Sequence, residues 1–163
     1  MGRILSIDLG ERRVGLAISD ETQTIAQGLD TINFVNEGDL IKRLKQIILE
    51  RTVSEIVIGY PLSLSSQETT RSIWVKAFLE KLQKQVTIPI HLFDERLTSL
   101  MAERFLEEAN QPRMGTSRHH RPSHGASMAA KIHKQNKVKQ VIDKLAATII
   151  LEDYLSSKRR DIR

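Results

Sequence analysis

Three places in the chain put an acid where an apolar element would not by itself call for one. Asp8 closes an apolar run and is followed by Gly10, which lets the chain turn sharply away from it. Asp94 and Glu95, followed by Arg96, close a second apolar run. Strand side chains alternate, so Asp94 and Glu95 face opposite ways and at most one of them reaches a site shared with Asp8; alternation alone does not choose between them. Asp143 shares a helical face with Ala146, Ala147 and Ile150, the stripe expected to pack against a sheet. Burying an unpaired carboxylate is costly, so Asp143 requires a cation, a hydrogen-bond donor or a metal. Each acid also has a plainer reading on its own. Asp8 could simply end a strand, 94–96 could be a solvated cluster, and Asp143 could pair with Arg13 or Arg96.

Taken together, acids on three separate elements predict a hard-cation site. Oxygen ligands suit Mg²⁺ or Mn²⁺, whereas zinc more often takes His or Cys. Crowded carboxylates repel one another, and divalent ions relieve that repulsion. Two such ions about 4 Å apart activate a water and stabilise both the attacking and the leaving oxygen of a phosphodiester, so no catalytic Ser or His is required. Other chemistries find less support. Gly10 and Gly15 have the spacing of a P-loop, but Leu16-Ala17 follow where Lys-Ser/Thr is needed, and G-x-G-x-x-G is absent. The absence of cysteine excludes a disulfide scaffold, thiol catalysis and thiolate-bound zinc. His119, His120, His124 and His133 read as solvated or phosphate-facing groups in a polar segment. Trp74 and the few other aromatic residues fit helix packing better than a base-stacking platform.

The chain of 163 residues, 40% hydrophobic and 28% charged, has the size and composition of a single domain spanning 1–163. Its net charge of +5 is localised: residues 110–142 hold seven of the 25 basic residues and none of the 20 acidic ones, so the remainder carries 18 against 20. A local basic segment predicts a polyanionic partner. The first apolar run reaches Asp8 too soon for a signal peptide, and no run approaches the roughly 20 apolar residues of a membrane helix. The expectation is a cytoplasmic protein with no membrane partner.

The elements that must position these acids follow from hydrophobic period. Residues 3–9 and 14–19 read as a strand hairpin around the Gly10-Glu11-Arg12-Arg13 turn, and 24–35 as a third strand. From Asp39, apolar residues at spacings of three and four (Leu40, Ile41, Leu44, Ile47, Ile48) predict a helix. Residues 55–59 read as a strand buried on both faces. Ser65 and Glu68 predict a capping box opening a helix to about residue 85, and 88–93 the fifth strand. Thr98 or Ser99 caps a helix carrying Leu100, Met101, Phe105 and Leu106. A mobile basic loop is expected at about 110–134, then a helix at about 135–155 and a fraying tail. This order predicts an α/β fold: a mixed five-stranded sheet, made of a three-strand antiparallel meander plus β-α-β crossovers, with helices on both faces.

Four blocks of these residues resemble the signature of the YqgF/RuvX family. They are Asp8-Leu-Gly10-Glu-Arg-Arg13-Val-Gly15-Leu-Ala17, Gly59-Tyr-Pro61-Leu62, Asp94-Glu95-Arg96-Leu97-Thr98-Ser99, and Asp143-Lys-Leu-Ala146-Ala147 with Leu151 and Tyr154-Leu155. The resemblance spans nearly the whole chain and implies an RNase H-like fold. It implies a metal-dependent nuclease of the two-metal endonuclease type that hydrolyses phosphodiester bonds, maturing the 5′ end of pre-16S ribosomal RNA in ribosome biogenesis. The alternatives are a Holliday junction resolvase acting on four-way DNA junctions and a noncatalytic RNA-binding assembly factor. By the family's pattern Asp8, Glu95 and Asp143 are the catalytic and metal-binding triad, holding two Mg²⁺ or Mn²⁺ ions. Arg13, Arg96, Arg113, Arg118, Arg121, Lys134, Lys137 and Lys139 are the expected nucleic-acid contacts. The expected partners are structured RNA or the small-subunit precursor, with the protein acting as a monomer or homodimer. The chain departs from the family in the segment from 110 to 134, which looks longer by about 20 residues.

Overall fold

A computed structural model describes residues 2–61, 68–94 and 128–161. The hairpin forms as expected. Strands β1 (Arg3–Leu9) and β2 (Arg13–Ser19) pair antiparallel from Leu5 opposite Ile18 to Leu9 opposite Val14, and the turn is closed by Gly10 N–H donating to the Arg13 carbonyl at 2.9 Å. The third strand is not one strand. It divides into β3 (Ala26–Gly28), opposite Ala17–Ser19, and β4 (Ile32–Asn33), opposite Arg13 and Val14. Their registers against β2 differ by one residue, the mark of a bulge, and the break falls at Leu29-Asp30-Thr31 after a glycine, where strand propensity is poor. Six strands therefore stand where five were expected.

Helix α1 (Glu37–Glu50) starts two residues before Asp39, because Asn36 is its N-cap and accepts from the Asp39 amide at 2.9 Å. Strand β5 (Val53–Tyr60) follows. Helix α2 (Thr70–Gln83) is opened by a reciprocal box between Thr69 and Ser72, not by Ser65 and Glu68. Glu68 is occupied elsewhere, accepting from the Tyr60 hydroxyl at 2.9 Å and from Lys76, and Ser65 lies outside the described residues. Strand β6 (Ile90–Asp94) comes next. The expected helix after Thr98 also lies outside the described residues.

Helix α3 runs over Met128–Asp161, longer at both ends than expected. Its start takes in residues 128–134 of the segment assigned to a loop. Met-Ala-Ala-Lys are strong helix formers, and no Gly or Pro follows Gly125. At the other end the tail does not fray at Ser156. Lys158 ties the helix to Glu55 of β5 at 2.6 Å, and Lys158, Arg159 and Arg160 sit at the end that favours cations.

The sheet order is β3-β2-β1-β5-β6 with β4 also on β2, antiparallel on the β2 side and parallel from β1 through β5 to β6. Alternation sorts the residues into two cores. Leu5, Ile7, Leu9, Ile56 and Ile58 pack with Leu40 and Leu44 of α1 and Val75, Phe78 and Leu82 of α2. Ile4, Ala17 and Val57 pack on the opposite face with Ala147, Ile150, Leu151 and Leu155 of α3. No helix among the described residues is long and apolar enough to cross a membrane.

Candidate active site

The parallel strands β1, β5 and β6 end on one edge of the sheet, at Leu9, Tyr60 and Asp94. Asp8 is the last β1 residue on the α3 face and sits opposite Gly15 of β2. That glycine sets how near α3 can come: a Cβ on it would lie 2.0 Å from the carbonyl oxygen of Asp143. The main chain of α3 therefore rests directly on β2 at the level of Asp8, and it brings the Asp143 carboxylate with it. One turn further on, fully buried Ala147 keeps the approach close.

Each acid has its own arginine. Asp143 Oδ2 accepts from Arg13 Nε at 2.9 Å, and Asp8 Oδ1 from Arg71 Nη2 at 2.9 Å; the same Arg71 nitrogen donates to the Leu9 carbonyl at 2.9 Å. The Asp8 side chain is only 13% exposed, against 49% for Arg71. Burial pushes the Asp8 carboxyl above the ordinary carboxylate range, Arg71 pulls it back, and the Asp143 charge pushes it up again. The two carboxylates thus interact as like charges in a poorly hydrated place. Hard oxygen donors in that state fit a divalent cation such as Mg²⁺ or Mn²⁺. Among the described residues no group of three potential ligands is close enough to hold a metal, and Glu95 lies outside them.

Asp94 takes the other face. His91 and Phe93 of β6 lie against Tyr154 of α3, with ring centroids 5.9 and 5.8 Å away, so alternation turns Asp94 toward the α1/α2 side, away from the face of Asp8.

A family model described as "RuvX: Holliday junction resolvase" matches residues 2–132. The chain belongs to the RuvX family. It is 38% identical over 159 residues to a Dictyoglomus thermophilum protein named "Putative pre-16S rRNA nuclease", covering 98% of this chain and 99% of the relative. It is also 38% identical over 157 residues to the protein of the same name from Caldanaerobacter subterraneus subsp. tengcongensis, covering 96% and 98%. Among solved structures, RuvC of T. thermophilus in complex with a Holliday junction substrate superposes with a TM-score of 0.54 at 11% identity, covering 98% of this chain and 97% of that one. At that identity the likeness establishes the RNase H-like fold.

In this RuvX-family chain Arg13 and Lys139 line a cleft of about 350 Å³ with Gly10, Glu11, Arg12 and Asp143, so both stand beside Asp143. Lys134 and Lys137 fall on α3, but their side chains lie outside the described residues, as do Arg96, Arg113, Arg118 and Arg121 altogether. Arg71 was not singled out by sequence reasoning. A signal for it existed, since an arginine in the first turn of α2 stands where the helix dipole disfavours a cation, which points to an acid nearby.

Proposed function

We propose that this chain is a metal-dependent nuclease that cuts phosphodiester bonds endonucleolytically with two divalent cations, and that it processes the 5′ end of pre-16S ribosomal RNA in the cytoplasm. The observation that carries the reading is the meeting of Asp8 and Asp143 at the end of β1, with the Asp143 charge raising the proton affinity of Asp8. Asp8, Asp143 and Glu95 would hold Mg²⁺ or Mn²⁺. Bound there, the cations supply Lewis acidity toward water and the scissile phosphate. The remaining work falls to the chain's own side chains. Arg13 and Arg71 each fix one carboxylate oxygen, and Arg12, Arg13 and Lys139 give the adjoining cleft its positive charge. Arg96, Arg113, Arg118, Arg121, Lys134 and Lys137 extend the phosphate contacts, so affinity falls steeply with salt.

The names of the full-length relatives support RNA as the substrate, and the family model's description makes the four-way DNA junction the second reading. The deciding experiment incubates wild type and Asp8→Asn with Mg²⁺ or Mn²⁺ on precursor ribosomal RNA and on a four-way junction in parallel. Wild type should shorten the RNA, and Asp8→Asn should bind it uncut. Cleavage by Asp8→Asn at the wild-type rate refutes the mechanism, and resolution of the junction with the RNA untouched replaces the substrate.

A further inference from the structure

A second depression, of about 610 Å³, opens on the α1/α2 side between the segment leaving β4 and the first turns of α1 and α2, and it is linked to Asp8 through Arg71. Phe34, Val35 and Trp74 give it apolar walls, and Arg71 stands in it while holding Asp8 Oδ1 and the Leu9 carbonyl. Val35 is 95% exposed, so its side chain contributes little to folding. The Phe34 amide donates to the Arg12 carbonyl at 3.2 Å, which fastens this wall to the turn that carries Arg13. Trp74 packs on Phe78 with ring centroids 6.5 Å apart and donates from Nε1 to Glu37 at 3.1 Å, so the indole has a set orientation. Two acids line the depression: Glu37 is neutralised by Lys81 at 2.6 Å, and Glu11 is solvent-exposed, where its charge is screened. Trp74 packs on the α1/α2 core, as the sequence predicts, and also lines the depression.

We propose that this depression is the subsite for an unpaired nucleotide adjoining the scissile phosphate, its base against Trp74 and Phe34 and its backbone phosphate at Arg71. The proposal rests on the nuclease reading and adds to it a preference for single-stranded sequence at the cut. An aromatic wall meets any base through its π-face, and an arginine meets the phosphate that base carries. The volume falls within the range of small-ligand sites. Continuity supplies the rest, since Arg71 touches this depression and the candidate metal-binding acid at once. A base held in a duplex stack cannot enter.

Trp74 is the chain's one tryptophan, so its emission reports on this depression alone. The full chain in EDTA is titrated with a short labelled single-stranded RNA and with a blunt duplex of equal length, following RNA anisotropy and Trp74 emission together. Single-stranded RNA should shift the emission along the same curve as the anisotropy, whereas duplex should move the anisotropy only. Val35→Asp should keep the wild-type melting temperature and bind single-stranded RNA at least about 5-fold more weakly, the lower end of what one base stack contributes. Binding that leaves Trp74 silent, as a protein-docking role for this surface would give, or unchanged affinity in Val35→Asp overturns the subsite. If neither RNA binds, the nuclease reading fails with it. If RNA binds and shifts Trp74 but Mn²⁺ brings no cleavage, the nuclease reading fails and the depression stands only as a single-strand binding site.

Discussion

Replacing Gly15 by alanine tests whether the approach of α3 to β2 sets the site. The new methyl carbon would lie 2.0 Å from the Asp143 carbonyl oxygen and 2.6 Å from its carbon. Both are backbone atoms, so no side chain can rotate to make room. Reaching ordinary contact at 3.4 Å requires the helix and strand to part by about 1.4 Å. The stripe of Ala147, Ile150, Leu151 and Leu155 is buried on the sheet, so the movement disturbs packing well beyond the site. Overpacking of this kind costs about 1–3 kcal/mol. Asp143 moves with its helix, and a displacement of about 1 Å in a catalytic group costs on the order of 100-fold in rate. Gly28→Ala, on β3 and facing the same helix, is the comparison. Its Cβ would meet Lys144 Cγ at 2.7 Å, Lys144 Cε at 2.8 Å and Thr148 Oγ1 at 2.9 Å, all side-chain rather than backbone atoms, so its clash leaves the helix backbone less displaced. Urea unfolding and Mn²⁺-dependent cleavage should show Gly15→Ala losing both stability and activity, with activity falling well below Gly28→Ala even where both variants are fully folded. Wild-type stability in Gly15→Ala, or equal activity in the two variants, would refute the reasoning.

Arg71→Ala leaves the buried Asp8 charge without its cation, so its melting temperature falls; added Mn²⁺ should restore more of that loss than it gains in wild type and should do nothing for Asp8→Asn, as thermal unfolding with and without metal will show. Glu55, 12% exposed, accepts from Lys158 and Tyr154; burial alone would raise its carboxyl, but these hydrogen bonds outweigh burial and hold it below the ordinary 4.5. A carboxylate held low contributes stability above its unfolded value and loses it as pH falls through the folded one, so Glu55→Gln should cost about 1.5–3 kcal/mol at pH 7. Urea unfolding across pH should show that difference close below pH 4.5, and a constant difference would contradict it. Lys139→Ala should weaken nucleic-acid binding alike for all sequences and flatten the plot of log affinity against log salt by about one phosphate contact, measured by anisotropy.

The hairpin and the three parallel strands were legible because alternation and continuous apolar runs report burial directly. Asp143 was legible for the same reason, as an acid on a stripe that is otherwise apolar. The bulge that splits β3 from β4 was not, since a one-residue slip depends on which strand is the partner. The α2 cap was misread because Ser65/Glu68 and Thr69/Ser72 have the same spacing, and only the structure shows which hydroxyl meets an amide. That Asp94 faces away from Asp8 was not legible, since which face of β6 meets α3 is fixed by Tyr154 some 60 residues later. Arg71 lies 63 residues from Asp8, and its local context explains only that it stands at an unfavourable helix end.

The placement of the arginines also changes what the localised charge is for. From the sequence, a body near neutrality with a basic segment at 110–142 pointed to that segment as the contact for a polyanionic partner. In the folded chain Asp8 and Asp143 are each matched by an arginine at 2.9 Å, so the described part of the site carries little net charge before any cation enters. Those arginines also reach outward, Arg13 into one flanking cleft and Arg71 into the other, where the backbone of a bound strand would run. Under the nuclease reading, phosphate is tolerated at the acids through their own partners, acting over a few ångströms where salt screens little. The segment at 110–142 is then left to add phosphate contacts whose strength depends on ionic strength.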